Sequence, residues 1–420
     1  MSEQRFAVGI DVGTTKVCTL VAAVDDEAAP LEILGIGMSQ SRGLKRGMVV
    51  DRDATIASVR DSVAEAERMA EVDIHEAYVG VTGDHIASTN VSARVNVAGS
   101  EVVQEDVERV LQSARDSVVL PAEREIVYVA PRGFTLDGVR DIARPVAMSG
   151  SVLDVEAHIV TGMTSVMANV ARCVDEAGVH ILRRVLEPIA TSAAVVTDAE
   201  RELGVVLIDI GGGTTDIAAF LDGTIAHTSS LSVAGEHVTR DLARVLRTSM
   251  EEAESIKRKW ALAVPERVSE EEMIQIVLAG TNARERVPRR LTGEIARCRV
   301  EETLKMVQDD LKRAGIYRQV NGGVVLSGGG SQLPGISQVA SGIFGGLPVR
   351  IGLPRGLRGL AEAVATPAHA TAVGLVMLAA AERAFISRPT EIASLGGFQR
   401  RVLDWLAALH TRFRRRRTRP

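Results

Sequence analysis

The sequence predicts an α/β protein built from two related domains, because one motif occurs twice. Ile10-Asp11-Val12-Gly13-Thr14-Thr15-Lys16 returns in altered form as Ile208-Asp209-Ile210-Gly211-Gly212-Gly213-Thr214-Thr215-Asp216, roughly two hundred residues later. Each copy has an aspartate at the end of an apolar segment, followed by glycine, which is typical of a strand that enters a tight turn. A repeat at this spacing indicates a duplicated domain.

The elements around each copy agree with a duplication. The glycine turn is followed by a second strand, a third strand and a helix, predicted at 17–24, 31–38 and 54–69 in the first half and at 217–221, 224–232 and 236–246 in the second. In the first helix, apolar residues recur at helical spacing: Ile56, Val59, Val63 and Ala66. Each half is therefore predicted to be an α/β unit.

Residues 84–162 interrupt the first half with a β-rich segment that carries its own helix. Aliphatic and polar residues alternate along the first predicted strand, at Val91, Ala93, Val95 and Val97. The helix has apolar residues at helical spacing, at Val107, Val110, Leu111 and Ala114. With further strands at 125–135 and 157–160, this segment is expected to form an inserted subdomain.

The second half also has a variable segment. Residues 249–303 are charged and mostly helical, after which 324–326 return to a buried strand. The loop Ser327-Gly328-Gly329-Gly330-Ser331 and a helix at 335–344 follow. Residues 384–397, with Pro389 and two adjacent glycines, have the composition of a short linker.

Composition excludes several classes of protein. The 420 residues are 46% hydrophobic and 3% aromatic, so the chain can bury a large aliphatic core and is neither disordered nor collagen-like. Cys18, Cys173 and Cys298 lie far apart without a CxxC pair, which argues against a disulfide framework or a zinc site. With no signal-like start and no apolar run near the ~20 residues that span a bilayer, we expect a cytoplasmic body without a transmembrane helix.

The formal net charge of −5 hides an asymmetry. Residues 400–420 hold eight arginines and one aspartate, so this tail carries +7 and the rest of the chain −12. Such a tail is suited to an anionic surface, either nucleic-acid phosphate or phospholipid headgroups. Charge alone does not choose between them.

The two motifs have the composition of a phosphate-binding site. Glycines let backbone N–H groups approach phosphate oxygens, and two strand-end carboxylates, Asp11 and Asp209, are suited to hold Mg²⁺ through its waters. One such motif would equally describe a tight β-hairpin, but the related pair and the third glycine loop favour a clamp on a polyphosphate. The chain lacks GxxxxGK[ST], and it lacks GxGxxG after the first strand, so neither a P-loop nor a Rossmann fold is expected.

With these motifs the sequence resembles the actin-like ATPase superfamily, whose fold is a duplicated, RNase H-like α/β pair. The resemblance makes the glycine motifs its two phosphate turns and 327–331 its adenosine loop. Leu186-Glu187-Pro188-Ile189-Ala190-Thr191-Ser192 is similar to its first connecting segment, with a second connecting helix at 370–380. It implies ATP and Mg²⁺ as cofactors. By the same resemblance, the candidate catalytic residues are Glu187, which would orient a hydrolytic water, and Asp11 and Asp209, which would organise the metal.

The resemblance also implies a set of nucleotide-contacting residues: Gly13, Thr14, Thr15, Lys16, Gly211, Gly212, Gly213, Thr214, Thr215, Gly235, Glu236, Glu254, Lys257, Gly328, Gly329 and Gly330. Glu254 and Lys257 have the spacing that in chaperone relatives reaches ribose and adenine, and an i,i+3 pair on a helix surface explains them almost equally well. Glu187 could instead be a solvated carboxylate before a proline. Whether Lys16 or Lys257 contacts the nucleotide stays open.

Over residues 5–382 and in the tail, the chain resembles the FtsA family of bacterial cell-division proteins. The resemblance rests on the position of the insert and on Pro145-Val146-Ala147-Met148-Ser149-Gly150 and His158-Ile159-Val160-Thr161-Gly162 within it. It implies six parts: a first actin-like domain (1–83 and 163–192), the inserted subdomain 1C (84–162), a second actin-like domain (193–235 and 304–383), a helical/β subdomain (236–303), a linker (384–397) and a membrane-targeting tail (398–420).

The tail sequence predicts an amphipathic helix. Its apolar face holds Phe398, Val402, Trp405, Leu406, Leu409 and Phe413, opposite Arg400, Asp404, Ala407 and Thr411. Arg414, Arg415, Arg416 and Arg417 follow and would attract anionic lipid. We expect this helix to lie on a membrane surface. Docking on the body and contact with nucleic acid are the alternatives, and the latter has no use for the apolar face.

The family resemblance implies a function. The chain would be an ATP-binding scaffold, at most a slow ATPase, that self-associates and tethers FtsZ filaments to the cytoplasmic face of the inner membrane at the division septum. Later division proteins would bind the insert, and no nucleic-acid partner is expected. A basic stretch is a candidate surface for the acidic FtsZ peptide, although a solvated helical face explains it nearly as well: Arg284, Arg286, Arg289, Arg290, Arg297 and Arg299. The alternatives are a sugar-kinase-like phosphotransferase and a pilus-assembly actin-like ATPase.

Overall fold

A computed structural model describes residues 5–24, 30–281 and 283–386 of the chain. The first half begins with strands β1 (Arg5–Val12), β2 (Lys16–Val24), β3 (Leu31–Gln40), β4 (Leu44–Lys45) and β5 (Met48–Val49), helix α1 (Arg52–Ala70) and strand β6 (Glu76–Val81). The insert comprises β7 (Ala87–Asn96), α2 (Gln104–Asp116), β8 (Arg124–Leu136), β9 (Val139–Ile142) and β10 (Val152–Met163). The first half resumes with α3 (Thr164–Glu176), β11 (His180–Leu186) and α4 (Glu187–Val195).

The second half starts with helix α5 (Asp198–Leu203) and strands β12 (Val205–Ile210), β13 (Thr215–Leu221) and β14 (Thr224–Leu231). Its variable segment contains α6 (Gly235–Leu246), α7 (Met250–Trp260), β15 (Met273–Val277), β16 (Arg284–Pro288) and α8 (Arg289–Arg313). The remaining elements are β17 (Gly323–Ser327), α9 (Ile336–Ile343), β18 (Val349–Ile351), β19 (Leu357–Gly359), α10 (Ala361–Val364) and α11 (Ala370–Ile386).

The two halves share one sheet topology. The first sheet has the strand order β11-β6-β1-β2-β3-β19, and the second has β14-β13-β12-β17-β18. In both, a three-stranded antiparallel meander is extended by two parallel strands on the side of its first strand. The duplication predicted from the glycine motifs is therefore a duplication of the whole sheet, with β19 added at one edge.

The connecting helices α4 and α11 lie between the sheets and share one apolar core with both. This core includes Leu20 of β2, Leu207 of β12, Ile189 of α4 and Val373 of α11, all buried. Since fully burying such a side chain contributes about 1.5–3 kcal/mol, the core holds the two domains together as well as each domain within itself.

Gly374 fixes how closely the two connecting helices approach. A Cβ built on Gly374 of α11 would lie 1.7 Å from the carbonyl oxygen of Ala190 in α4. No side chain is tolerated at that distance, so the crossing of the helices requires glycine at this position.

The insert is a four-stranded sheet, β7-β10-β8-β9, with α2 on one face. The predicted apolar side of α2 is buried against Leu153, Val155 and Ile159 of β10. The strand predicted at 157–160 is longer than expected, because β10 continues from Val152 to Met163 as the central strand of the insert.

Hydrogen bonds around the buried His158 and Thr228 connect the insert to the second domain. Ser88 donates to the carbonyl oxygen of Thr228 at 2.6 Å, and Asn90 Nδ2 donates to that of Ala226 at 3.0 Å. The ring of His158 lies 2.7 Å from Asn90 Oδ1 through Nδ1 and 2.9 Å from Thr228 Oγ1 through Nε2. Because an amide oxygen only accepts, Nδ1 carries the proton and Nε2 accepts from the threonine. Burial lowers the pKa of His158 to about 3, so the ring stays neutral at physiological pH.

Two predicted boundaries and one predicted conformation are wrong. Helix α11 continues to Ile386, so the first residues of the linker predicted at 384–397 are helical, as are the residues after the helix predicted at 370–380. In the segment predicted as mostly helical, Arg284 and Arg286 lie on strand β16, which pairs with β15. The sequence prediction therefore missed the β15–β16 hairpin. Strand β16 is basic and ends at Pro288, and it shows no helical spacing of apolar residues.

Replacement of Gly374 by alanine should lower the unfolding free energy by about 3 kcal/mol or more, because the new Cβ would separate α4 from α11. Gly342→Ala is the matched control, since this helical glycine in α9 is exposed and has no heavy atom within 4 Å of an added Cβ. The control should gain roughly 0.5–1 kcal/mol. Urea unfolding monitored by circular dichroism measures both changes, and equal stability of the two variants would contradict this account of the crossing.

Candidate functional site

The two glycine turns close in the same way. The N–H of Gly13 donates to the carbonyl oxygen of Lys16 at 3.1 Å, and the N–H of Gly211 donates to that of Thr214 at 2.9 Å. The first glycine of each motif therefore closes its own turn. The backbone amides that can face a ligand belong to the two residues after it.

The turns face each other across the cleft between the two domains. A Cβ added to Gly212 would lie 2.2 Å from Thr15 Cγ2, and one added to Gly213 would lie 2.7 Å from Thr14 Oγ1. The backbone of the second turn thus touches the side chains of the first, and any larger residue would push the turns apart. The structure brings both motifs into one site.

The third glycine loop packs on the end of strand β12. Gly328 has a φ of +78°, where glycine is favoured, and a Cβ there would lie 2.3 Å from Asp209 Oδ1. A Cβ on Gly330 would lie 2.5 Å from Ile210 Cγ2, whereas Gly329 is exposed. The loop predicted at 327–331 therefore borders the same cleft as the two turns.

The start of α6 and the Glu254–Lys257 pair lie beside this loop. Gly235 N–H donates to the Gly211 carbonyl oxygen at 3.1 Å, and a Cβ on Gly235 would lie 3.8 Å from both Gly330 Cα and Lys257 Nζ. Lys257 Nζ lies 2.6 Å from Glu254 Oε2 and donates to the Gly235 carbonyl oxygen at 3.1 Å. The pair is an i,i+3 ion pair, as one reading predicted, and it lies beside the cleft; its contact with a nucleotide stays a prediction.

Two predicted contact residues are engaged within the chain. The N–H of Glu236 donates to the Gly212 carbonyl oxygen at 2.8 Å, while its carboxylate pairs with Arg240 at 2.7 Å. Lys16 Nζ donates to the carbonyl oxygen of Ala368, just before α11. Burial raises the pKa of Asp11 and Asp209, and the charge of Lys16 partly opposes that rise. Lys16 thus faces the carboxylates of the cleft.

Four buried carboxyl groups meet at the base of the cleft. Burial, together with the charge of Asp209, raises the pKa of Asp11 and that of Asp216 to about 6. Burial also raises the pKa of Asp209, against hydrogen bonds from two threonine hydroxyls. The pKa of Glu187 is raised well above its usual value by burial and then by the charges of the other three. Without a cation, ionisation of this cluster is strongly disfavoured.

Glu187 is the first residue of α4, and Pro188 follows at a position that a helix start tolerates. The side chain is buried and lies against Gly80 of β6, where a Cβ would be 3.3 Å from Glu187 Oε1. That oxygen has no hydrogen-bond partner. The alternative of a solvated carboxylate is therefore wrong for Glu187.

Sequence reasoning missed four residues that organise the carboxylates. Thr82 Oγ1 donates to Asp216 Oδ1 at 2.5 Å, which links the segment just before the insert to the strand after the second glycine turn. Thr191 and Thr371, one on each connecting helix, both bond Asp209. Asp216 lies directly opposite Asp209 in the β12–β13 pair. Its place within the repeated motif was the available signal. Thr191 and Thr371 lie in the two predicted connecting segments, but nothing in those segments indicated that their hydroxyls meet Asp209.

Most of the predicted basic stretch is paired within the chain. The ion pairs join arginines of α8 to neighbouring acidic residues: Arg289 to Glu272, Arg290 to Glu270 and Glu294, Arg297 to Glu266 and Glu301, and Arg299 to Asp241 and Glu302. Arg284 and Arg286 are exposed on β16. The surface is therefore a mixed-charge network with two exposed arginines at one edge.

The predicted membrane face at 398–413 and the arginines 414–417 lie outside the described residues. Among the residues that are described, no helix combines the length and the apolar character needed to cross a membrane.

Comparison with known proteins decides the family. A family model described as "Cell division protein FtsA" matches residues 206–374, and one described as "SHS2 domain inserted in FTSA" matches residues 83–161. A Pseudomonas aeruginosa protein named cell division protein FtsA is 38% identical over 373 residues, which cover 89% of each chain. The chain belongs to the FtsA family of cell-division proteins. This relationship does not favour the sugar-kinase-like or pilus-assembly alternatives.

Solved structures confirm the actin-like fold that the FtsA resemblance implies. The "PilM-PilN type IV pilus biogenesis complex" superposes with a TM-score of 0.66 at 16% identity, over 89% of this chain and 98% of that one. MreB5 of Spiroplasma citri bound to ADP superposes with a TM-score of 0.53 at 15% identity, over 92% and 99%. At these identities the likeness shows the fold alone.

Asp216→Asn should stabilise the nucleotide-free protein. The folded pKa of Asp216, about 6, lies above the unfolded value, so its contribution to stability is full below about pH 4 and is lost as the pH rises through 6. Removing this charge should therefore raise the unfolding free energy by roughly 3 kcal/mol at pH 7.5 and only about 1 kcal/mol at pH 4.5.

Denaturant unfolding at the two pH values measures this difference. Asp222→Asn is the matched control, because Asp222 is exposed in the turn of the same hairpin, with a φ of +50° that asparagine adopts readily. A pH-independent difference between Asp216→Asn and the parent would show that the charge of Asp216 carries no cost in the fold.

Proposed function

We propose that this member of the FtsA family binds ATP with Mg²⁺ between its two domains and acts as a self-associating scaffold. The observation that carries the proposal is the contact of Gly212 and Gly213 with Thr15 and Thr14. Two glycine turns that meet at one cleft could both offer backbone amides to a single polyphosphate. Proteins of this fold generally bind nucleotide and Mg²⁺.

The residues at the base of the cleft suit a hard divalent cation held through its waters, since no three side chains of the described residues converge as direct metal ligands. Mg²⁺ prefers oxygen ligands and keeps most of its waters, and the cluster offers buried carboxylates together with the unpartnered Glu187 Oε1. Asp11 and Asp209 would hold the ion through water. The ion would neutralise charge on the phosphates.

Glu187 is the candidate to orient a water for hydrolysis. Burial and the neighbouring carboxylates raise the pKa of its carboxyl, so the charge state of Glu187 would depend on the cation held beside it.

Asp209→Ala should weaken ATP binding in the presence of Mg²⁺ by at least tenfold, because it removes one of the two carboxylates that orient the ion's waters. Isothermal titration with ATP, in Mg²⁺ and in EDTA, measures the effect. Asp154→Ala is the control, since Asp154 pairs with Arg94 on the insert, away from the cleft. Unchanged affinity of Asp209→Ala in Mg²⁺ would exclude the metal role.

The scaffold would be attached to the cytoplasmic face of the inner membrane at the division septum by the tail. Apolar residues at helical spacing in 398–413, and the arginines 414–417 that follow, support this placement. FtsZ would bind through its acidic peptide at the exposed edge of the variable segment, where Arg284 and Arg286 supply positive charge. The insert would contact later division proteins or a second copy of the chain.

Trp405→Glu should release the protein from vesicles that contain anionic phospholipid while leaving ATP affinity unchanged, because a charge on the apolar face prevents its burial among acyl chains. Ala407→Glu adds the same charge to the predicted polar face and should bind vesicles within about twofold of the parent. Co-sedimentation with anionic vesicles separates the two variants. If both variants, or neither, detach, the amphipathic-helix prediction is wrong.

A further inference from the structure

We propose that Thr191 and Thr371 are paired positioning residues that fix the orientation of the Asp209 carboxylate toward the bound cation. The inference rests on the proposed binding of Mg-ATP, and it assigns to the connecting helices a direct part in shaping that site. Neither threonine was predicted to contact the nucleotide.

The geometry is a short chain of hydroxyl groups that ends on one carboxylate oxygen. Thr191 Oγ1 donates to Asp209 Oδ2 at 2.6 Å, and the two hydroxyl oxygens lie 2.9 Å apart. Thr371 Oγ1 is 3.3 Å from the same Oδ2. Each hydroxyl has one proton. Because Thr191 uses its proton on the carboxylate, the Thr371 proton is shared between Thr191 Oγ1 at 2.9 Å and Asp209 Oδ2 at 3.3 Å.

Burial makes this arrangement specific. Thr191 is fully buried, and Thr371 and Asp209 are 8% and 6% exposed. A buried hydroxyl without a partner is costly, so the three groups must keep one mutual geometry. Asp209 Oδ1 lies on the opposite side, against Gly328, where any Cβ would come within 2.3 Å. The hydroxyls therefore hold one oxygen of the carboxylate, and the other oxygen packs against the glycine loop.

The two threonines reach Asp209 from different helices. Thr191 lies four residues after Glu187 in α4, so both side chains occupy the same helix face toward the cleft. Thr371 is the second residue of α11. The neighbouring Gly374–Ala190 contact fixes the distance between these helices and thereby the distance between the hydroxyls. A shift of one connecting helix along the other would change the support of Asp209.

The test compares hydroxyl removal with hydroxyl retention. Thr191→Val keeps the shape of the side chain and removes its hydroxyl, whereas Thr191→Ser keeps the hydroxyl and loses a methyl group. Thr371→Val is a milder second variant, since its hydroxyl acts mainly through Thr191. Thr303→Val is the matched control, because this buried threonine of α8 bonds only the carbonyl oxygen of Arg299 in its own helix.

Isothermal titration with ATP in Mg²⁺ and in EDTA is the main measurement. We expect Thr191→Val to lose about tenfold in affinity in Mg²⁺, the scale typical of residues that orient metal-binding groups, with EDTA affinity within twofold of the parent. Thr191→Ser should restore most of the Mg²⁺-dependent affinity, and Thr303→Val should match the parent in both conditions. The melting temperature of each variant shows that it is folded.

Two results would overturn the inference. Equal Mg²⁺-dependent affinity of Thr191→Val, Thr371→Val and the parent would show that the hydroxyls do not position Asp209. Equal losses in Thr191→Val and Thr191→Ser would assign the effect to packing. A parent protein that binds no ATP in Mg²⁺ would instead overturn the proposed function, and that result is distinct because it appears before any substitution is made.

Discussion

Four carboxyl groups buried at the base of one cleft are the constraint on which the rest of this structure depends. Burial raises the pKa of each, and repulsion by neighbouring carboxylates adds to the rise at Asp11, Asp216 and Glu187, so an ionised cluster without a cation opposes folding. The fold offsets this with Lys16 and with hydroxyls from Thr82, Thr191 and Thr371. A cluster of this kind is favoured where a bound cation completes it, as at functional sites generally.

The duplicated topology explains how the carboxylates come together. Asp11 and Asp209 occupy equivalent ends of the first strand in two sheets of the same order. The connecting helices lie between those sheets, so the same ends point into one shared cleft. Glu187 starts one of these helices, and the third glycine loop donates a hydrogen bond to Pro367, just before the other. One repeated unit therefore supplies most of the site, and the helices supply the remainder.

Local sequence patterns predicted what depends on local chemistry. The glycine turns, the apolar face of α1 and the insert were evident because each has a short motif or a regular period. The hydroxyl pair was not, because Thr191 and Thr371 are 180 residues apart and meet only through the helix crossing. Likewise, the hairpin β15–β16 was missed. Strand β16 begins with three charged residues in a row, so it lacks the alternation of apolar and polar residues that indicates a strand.

The insert is joined to both halves of the molecule, and this limits how the cleft can move. Its root at Thr82 bonds Asp216, while Ser88 and Asn90 bond the backbone of β14, the strand next to β13. Asp216 lies on β13, so one hairpin of the second domain holds both a carboxylate of the cleft and the docking edge of the insert. A rotation of the second domain away from the insert would break these hydrogen bonds, of which Thr82–Asp216 is buried and those of Ser88 and Asn90 are partly buried. Breaking the buried bond would leave a polar group without a partner. Because the insert also pairs with the first domain through Glu125 and Arg184, its position depends on how the two domains are placed.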